Sequence, residues 1–254
     1  MFFLKQFNHM MEKDGWCVFE EFVSDDLMNY LIGDLEKAYI NCRKIQLENG
    51  VENSEFTAHH LVGQAESFMT CLAQYEQIDE YLKEYFEGKY ILNSFGGNIL
   101  KKGMSYANNV HRDIRTFSGE IPLMLNTLIM LDDFTEENGA TWLMDKGHKY
   151  PRCPPAEVFN HHAFQVVGKA GTLVMWNSNL WHCAGENKTD NPRRSLTPEF
   201  SKPFMKQGLD YPRAIKKPDT EYLRQVLGFN ALVPASLNDW YQRRENRFYK
   251  ENQG

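Results

Sequence analysis

The second half of the chain is a series of short runs rich in Val, Ile, Leu, Thr and aromatic residues, with Gly, Asn, Asp and Pro between them. The runs are KYILNSFGGNILKKG, LMLNTLIMLDDF, ATWLMDKG, FQVVGKAGTLVMWNS and RRSLTPEFS. Many short β-type segments punctuated by turn residues predict a β-sandwich or a jelly roll. We therefore expect a mainly β core between about residues 89 and 205.

The two ends of the chain are predicted to flank this core with helices. Residues 1–88 have mostly helical character, and residues 206–254 return to helix, with two segments in 219–250 broken near Pro234. No internal repeat, low-complexity tract or interdomain linker interrupts the sequence. We expect a single domain over 1–254, in which helices pack outside the jelly roll.

Local patterns divide the N-terminal part further. Residues 16–22 alternate enough to predict a short strand. Ser24, followed by two aspartates, predicts the start of a helix. The apolar residues of that helix recur at helical spacing and are Leu27, Tyr30, Leu31, Leu35 and Ile40. Residues 46–62 are predicted to form a loop, and whether this loop covers a pocket is undecided. Residues 64–88 are again predicted to be helical.

Composition excludes several classes of protein. With 42% hydrophobic and 13% aromatic residues, the chain is typical of a folded globular protein. A net charge of −6 without a long basic block disfavours nucleic acid or an anionic membrane as the main partner. The five cysteines are scattered and form no CxxC pair, which fits a reducing cytosol. Without a signal-peptide core or a membrane-length apolar run, we expect a cytoplasmic protein; its oligomeric state stays open.

The triplet His111-Arg112-Asp113 is the first candidate for chemistry. If this stretch is a strand, residues two apart point to the same face, so His111 and Asp113 would both project into the barrel. His182, at the end of the apolar run GTLVMWN, is the natural third ligand. Two His and one carboxylate with open positions form the facial triad of non-haem iron(II) oxygenases. An HxD triplet alone is a weak motif, and further evidence is needed.

That evidence is a resemblance to the phytanoyl-CoA dioxygenase family, which belongs to the iron(II)/2-oxoglutarate oxygenases. The motifs that carry it stand in the family's order: HRD, DDFTEENGATW, DKGHK, GTLVMWN and HCAGENKTDNPRRSL. They cover residues 95–200 well and the helical ends only loosely. The resemblance implies a double-stranded β-helix, which is a jelly roll, and the metal ligands His111, Asp113 and His182.

The resemblance also implies a set of cofactor-binding residues. Arg193, eleven residues after His182, would bind the distal carboxylate of 2-oxoglutarate, since a guanidinium matches a carboxylate bidentately. Arg194 is the alternative, but strand alternation lets only one of the two point inward. Asn98 matches a family position whose amide reaches the cosubstrate. Asn126 is expected to face inward and is a second candidate to lie beside the cosubstrate. Either asparagine could instead be an ordinary polar residue of the sheet.

The implied cofactor is Fe(II), and the implied cosubstrates are 2-oxoglutarate and O2. The implied reaction releases succinate and CO2 and hydroxylates an unactivated C–H bond. In the halogenases of this superfamily a small residue replaces the carboxylate ligand, so the presence of Asp113 favours hydroxylation. Desaturation, epoxidation and cyclisation stay open. No motif identifies the substrate, and a small metabolite or biosynthetic intermediate is our expectation.

Other residues near these motifs have less specific roles. Arg115 continues the period-two face of His111 and Asp113, and either anchors an anionic group of the substrate or pairs with a nearby acid. His59 and His60 are expected on a solvated surface, and His148 in a structural turn. Candidate pocket aromatics, each of which is more often a core residue, are Phe117, Trp142 and Trp176.

Two competing functions use the same fold. Jelly rolls also host metal-dependent hydrolases and isomerases, and a zinc hydrolase could use two His and one Asp around a bound water. Arg193 at its fixed offset disfavours these enzymes, because they have no need of a 2-oxoglutarate clamp. A non-catalytic binding module is the third possibility, and the presence of all three ligands disfavours it.

Overall fold

The computed structural model describes residues 3–52, 57–104 and 109–241, and within them two antiparallel sheets and a helical layer. The strands are β1 (Trp16–Phe19), β2 (Thr57–Ala58), β3 (Ile91–Leu100), β4 (Met124–Met130), β5 (Trp142–Met144), β6 (Ala163–Gln165), β7 (Leu173–Asn177), β8 (His182–Cys183) and β9 (Arg193–Ser201). The large sheet has the order β1-β7-β4-β9-β3-β2, and the small one the order β6-β5-β8. The predicted jelly-roll core is confirmed.

Helices flank this core at both ends. The α-helices are α1 (Leu4–Lys13), α2 (Asp25–Glu48), α3 (Glu66–Ala73), α4 (Asp79–Phe86), α5 (Ala156–His162), α6 (Tyr211–Ala214), α7 (Glu221–Val226) and α8 (Leu237–Trp240), and short 3-10 helices cover Gln74–Ile78 and Gly147–Lys149. As predicted, α7 and α8 lie on either side of Pro234; the rest of the predicted C-terminal helix, from 242, lies outside the described residues. None of the helices described combines the length and apolar character that a bilayer span needs.

Strand β4 shows how the layers are held together. It lies between β7 and β9, and all seven of its residues are buried. Leu125 and Ile129 belong to the cluster that includes residues of α1 to α4 and α7, whereas Leu128 and Met130 pack in a second cluster on the other face. A strand covered on both faces carries a continuous apolar run, which explains the sequence MLNTLIM.

Helix α2 buries a narrower face than its apolar spacing indicated. Leu27, Leu31 and Leu35 are buried as an i, i+4 row, but Tyr30 and Ile40 are 70% and 69% exposed. At 100° per residue Ile40 lies about half a turn from that row and cannot reach the sheet. The spacing correctly predicted the helix and overestimated its buried face.

The segment predicted as the loop 46–62 is more ordered than expected. Helix α2 continues to Glu48, and β2 adds Thr57 and Ala58 to the edge of the large sheet opposite Asn98 and Gly97. Residues 53–56 lie outside the described part. The edge strand β2 brings this segment against β3, next to the cavity described below.

Candidate metal centre

The HRD segment reaches its position without being a strand. His111 and His182 exchange backbone hydrogen bonds of 3.0 and 2.9 Å in a single antiparallel bridge, and the chain then bends through Asp113. The expected strand alternation is therefore absent. His111 and Asp113 converge because the bridge to β8 fixes the first residue and the bend turns the second back, while buried Ile114 anchors the segment beyond them.

Three potential metal ligands meet at this point. His111 Nε2 lies 3.5 Å from Asp113 Oδ1, and His182 Nε2 lies 3.3 Å from Asp113 Oδ2. The ligand atoms of all three residues lie within 4.8 Å of one another. Two atoms bound at about 2.1 Å and at right angles stand about 3 Å apart, so a divalent ion fits with small adjustments.

Both imidazoles are held in the tautomer that a metal requires. His111 Nδ1 lies 2.8 Å from the carbonyl of Asn109, and His182 Nδ1 lies 2.9 Å from the carbonyl of Leu180. A carbonyl only accepts, so each Nδ1 carries the proton and each Nε2 presents its lone pair to the centre. Outer hydrogen bonds of this kind orient metal-binding histidines.

A buried polar chain orients the carboxylate. Asn126 Nδ2 donates to Asp113 Oδ2, and the Ser178 hydroxyl donates to Asn126 Oδ1. Asn126 is inward-facing as predicted, but in this structure its amide is directed to the metal ligand rather than left free for a cosubstrate. The hydrogen bond from Ser178 fixes the orientation of the Asn126 amide, and the amide in turn fixes the Asp113 carboxylate.

The electrostatics suit a cation. Burial alone raises the pKa of Asp113, but His182 and His111 outweigh it and the pKa is lowered. Burial lowers the pKa of His182. At neutral pH the centre therefore offers an ionised carboxylate and a neutral buried imidazole, the protonation states that bind metal.

Arg193 lies in the cavity, of about 270 Å³, that the three ligands also line. It is 3% exposed, its Nη2 donates to the carbonyl of Gly139 at 2.9 Å, and its guanidinium lies 4.5 Å from the Phe134 ring centroid. Gly139 has φ of +84°, and a Cβ there would lie 2.6 Å from the carbonyl oxygen of Gly185, so this turn needs glycine.

Arg194 faces away from the cavity. Its Nη1 lies 2.9 Å from Asp132 Oδ1, and its Nη2 lies 3.0 Å from Glu36 Oε1 on α2. Strand alternation on β9 thus separates the two arginines as expected. Arg193 is the one that could bind an anion inside, whereas Arg194 joins the sheet to the helical layer.

Asn98 and Arg115 occupy different surroundings. Asn98 lines the cavity from β3, and its Oδ1 accepts a hydrogen bond of 3.1 Å from the Thr57 hydroxyl. Arg115 is exposed and lies in the bends after Asp113 rather than on a strand. Its charge lowers the pKa of Asp113 and Glu199, but among the described residues it forms no ion pair within 4 Å.

Of the candidate pocket aromatics, only Trp176 lines this cavity, with its ring 5.2 Å from that of His182. Phe117 contacts the guanidinium of Arg112, and Trp142 packs beside a small separate core cluster. Both side chains are partly buried, and neither lines the cavity.

Three histidines outside the triad, His59, His60 and His148, were expected to lie on the surface or in a turn. His59 is exposed, as expected, and it also lies at the rim of the cavity, directly after β2. His60 Nδ1 lies 3.1 Å from the Tyr211 hydroxyl. His148 lies in the turn Gly147–Lys149, with Nε2 3.2 Å from the carbonyl of Glu12, as a structural histidine would.

Sequence reasoning missed Glu199. It lies on β9 and lines the cavity, as do Arg193, Ser195 and Thr197 on the same face of the strand. Counting in twos from Arg193 would have found it. Burial, and then the charge of Asp113, raise the pKa of Glu199 to about 8.

Comparisons with known proteins give the family and the fold to which this chain is similar. The sequence model of the family described as "Phytanoyl-CoA dioxygenase (PhyH)" matches residues 11–195. The uncharacterized protein Rv1501 of Mycobacterium tuberculosis is 32% identical over 156 residues, 59% of this chain and 56% of that protein. The chain thus spans about half the length of such curated relatives. Dioxygenase trt7 of Aspergillus terreus is 26% identical over 261 residues, covering 96% of this chain and 90% of trt7.

Solved structures show the same fold. EctD from S. alaskensis with 2-oxoglutarate and 5-hydroxyectoine superimposes with a TM-score of 0.65 at 17% identity, covering 87% of this chain and 83% of EctD. The non-haem α-ketoglutarate-dependent epimerase SnoN from nogalamycin biosynthesis superimposes with a TM-score of 0.59 at 16% identity, covering 78% and 80%. At such identities the likeness establishes the architecture alone.

Proposed function

Because this chain belongs to the phytanoyl-CoA dioxygenase family, we propose that it is an iron(II)- and 2-oxoglutarate-dependent dioxygenase. The observation that carries the proposal is the presence of His111, Asp113, His182 and buried Arg193 around one cavity. A hydrolase or isomerase built on the same triad would have no use for a guanidinium there. The names of relatives such as trt7 support the same class.

Each residue has a defined task in this proposal. The Nε2 atoms of His111 and His182 and the carboxylate of Asp113 would hold Fe(II), which supplies O2 activation coupled to the oxidative decarboxylation of 2-oxoglutarate to succinate and CO2. Arg193 binds the distal carboxylate of 2-oxoglutarate through charge-assisted hydrogen bonds. Asn98 offers its amide to the same cosubstrate.

We place the chemistry as hydroxylation of an unactivated C–H bond in a small metabolite or biosynthetic intermediate. Asp113 occupies the ligand position that a halide would need, so halogenation is disfavoured. The cavity of about 270 Å³ suits a small molecule, and Trp176 gives it an aromatic wall.

Anaerobic titration tests this function. Addition of iron(II) and then 2-oxoglutarate is expected to produce a weak visible charge-transfer band, and admission of O2 with substrate is expected to give succinate. Asp113→Ala should lose iron binding and succinate formation. An iron-loaded wild-type protein that shows no band with saturating 2-oxoglutarate, or an Asp113→Ala variant with wild-type turnover, would contradict the proposal.

Arg115 is the proposed anchor for an anionic group of the substrate. It is exposed, close enough to influence Asp113, and has no ion-pair partner within 4 Å among the described residues. With a substrate in hand, Arg115→Ala should raise KM, whereas exposed Arg152→Ala should not. An unchanged KM for Arg115→Ala would refute the anchoring role.

A further inference from the structure

Glu199 is a carboxyl group inside the cavity without a protein donor. It lines the same cavity as the metal-binding triad, and its register partner on β4 is Asn126, which holds Asp113. Within the described part of the chain, no side chain or backbone amide donates a hydrogen bond to the Glu199 carboxylate, and no cation lies within 4 Å of it. A buried acid in this state costs free energy unless something else satisfies it.

The groups nearest to Glu199 have other partners. The Tyr211 hydroxyl lies close enough for the charge of Glu199 to raise its pKa, after the larger effect of burial, but it is hydrogen-bonded to His60 Nδ1. Arg115 acts on Glu199 only through its longer-range charge and is exposed. The protein therefore leaves the inner acceptor positions of Glu199 open to a ligand.

The walls beside Glu199 differ from those near Arg193. Thr197, two residues before Glu199 on the same face of β9, lines the cavity with a polar atom, and so does His59. Gly96 pairs with Thr197 across the β3–β9 ladder, and a Cβ at Gly96 would lie 2.7 Å from Thr197 Oγ1 and 3.9 Å from His59 Nδ1. The missing side chain leaves room between Thr197 and His59.

The order of residues on β9 separates two charged ends. Arg193 and Glu199 are six residues apart on one face, about 20 Å along an extended strand. A dianionic cosubstrate is attracted to the arginine end, whereas the glutamate end offers it a carboxyl group that lies near the charge of Asp113 and no cation. The end that holds Glu199 is thus left for the other reactant, and a cationic group bound there would favour the ionised form of Glu199 and pair with it.

We propose that Glu199 binds a cationic nitrogen group of the substrate, such as a protonated amine or an amidinium, and thereby positions the substrate beside the metal centre. That the bound molecule is the substrate rests on the proposed function. That Glu199 forms a site for a cation does not. Together with Arg115, the geometry favours a molecule that carries both a positive and a negative group. A cation beside Glu199 would stabilise the charge that burial and Asp113 disfavour.

A matched pair of probes tests the site before the substrate is known. Benzamidine is a cation that pairs with carboxylates through two N–H groups, and benzamide is its neutral isostere. Their dissociation constants are measured by calorimetry on anaerobic protein loaded with iron(II) and 2-oxoglutarate, so that Asp113 and Arg193 are engaged. Wild type is expected to prefer benzamidine by about tenfold or more, which is about 1.4 kcal/mol.

Glu199→Gln should abolish this preference, and Glu199→Asp, which keeps the charge, should retain part of it. Exposed Glu120→Gln is the matched control and should behave as wild type. Equal affinities for the two probes in wild type, or a preference that survives in folded Glu199→Gln, would overturn the proposal. The visible band with iron(II) and 2-oxoglutarate, recorded on the same samples, tests the oxygenase function separately.

Discussion

Asn126 and Asn98 line the same cavity, but they have different partners, and this difference can be measured. Asn126 donates to Asp113, whereas Asn98 accepts from Thr57. Because Asn126 orients a metal ligand, Asn126→Ala should raise the dissociation constant for iron(II) by about 10–100-fold. Anaerobic titration with iron(II) measures this change.

Asn98→Ala is the control from the same cavity. It should leave the iron(II) dissociation constant near wild type and raise that of 2-oxoglutarate, since Asn98 contacts no metal ligand in this structure. If both variants lost iron affinity equally, the separate roles assigned to the two asparagines would be wrong.

The neighbouring arginines of β9 provide a second paired prediction. Removing the buried charge in Arg193→Gln should raise the dissociation constant for 2-oxoglutarate by about two orders of magnitude, because truncating one partner of a buried charge pair costs about 2–5 kcal/mol. The charge-transfer band, followed against 2-oxoglutarate concentration, measures the effect.

Arg194→Gln should instead lower stability and leave 2-oxoglutarate affinity unchanged. It removes the ion pairs to Asp132 and Glu36 and leaves partly buried Asp132 without its main cation. Thermal unfolding measures the loss, which we expect at about 1–3 kcal/mol. If Arg194→Gln weakened 2-oxoglutarate binding and kept wild-type stability, the roles assigned to Arg193 and Arg194 would be wrong.

For single residues, the sequence was most informative where spacing determines to which side of a strand a side chain points. Alternation predicts that only one of Arg193 and Arg194 points inward, and the eleven-residue offset from His182 selects Arg193. The same alternation extended to Glu199 would have revealed that residue. The partner of Asn126 was not predictable, because Asp113 comes from a bend whose path depends on the bridge between His111 and His182.

The bend that carries Asp113 is held by Arg112. Its guanidinium lies 5.3 Å from the Phe117 ring centroid and 5.2 Å from that of Trp181, and its Nη1 donates to the carbonyl of Pro151 at 3.1 Å. Arg112→Leu removes two cation–π contacts and a hydrogen bond, together about 2–4 kcal/mol. We expect a lower melting temperature and several-fold weaker iron(II) binding.

Thermal unfolding and iron(II) titration of Arg112→Leu are compared with exposed Arg152→Leu, which should match wild type. A variant that binds iron(II) normally would show that the bend keeps its shape without Arg112. Arg112 would then contribute to stability alone.

Elements were predictable to different degrees. The strands from Ile91 onward were found because β-rich runs and turn residues are local signals. The HRD stretch was expected to bring His111 and Asp113 to one face if it formed a strand. Instead, a single bridge followed by a bend brings the same side chains together. The extent of α2 and the strand at Thr57 depend on packing against the sheet, which no local pattern contains.

For the whole molecule, the sequence predicted helical ends around a β core but not the order of its strands. Strand β1 was predicted from residues 16–22, yet its pairing with β7 at the sheet edge joins segments far apart in sequence. Which strands pair depends on which faces of the sheet are covered by other elements. Continuous burial of β4 identifies it as a central strand only after the helices are in place.

The metal site joins distant parts of this assembly, so metal binding should stabilise the whole fold. His111 and Asp113 come from the bend and His182 from β8. A ligand that binds only the native state at 100 times its dissociation constant adds about 2.7 kcal/mol, or about 5–10 °C in Tm for a chain of this size. Anaerobic thermal unfolding with and without iron(II) measures the shift, and Asp113→Ala should show little of it.

The metal-dependent shift should also decrease as the pH falls. Iron(II) competes with protons for the histidine ligands, and a protonated imidazole cannot bind it. His111 takes up its proton first on acidification. Burial is the largest single effect on its pKa and lowers it, but the hydrogen bond to Asp113, the charge of Asp113 and the Asn109 carbonyl together raise the pKa, whereas burial lowers that of His182. The stabilisation is therefore full above the raised pKa of His111 and is lost as the pH drops through it. A shift that stays constant across this range, or that Asp113→Ala retains, would place the metal elsewhere.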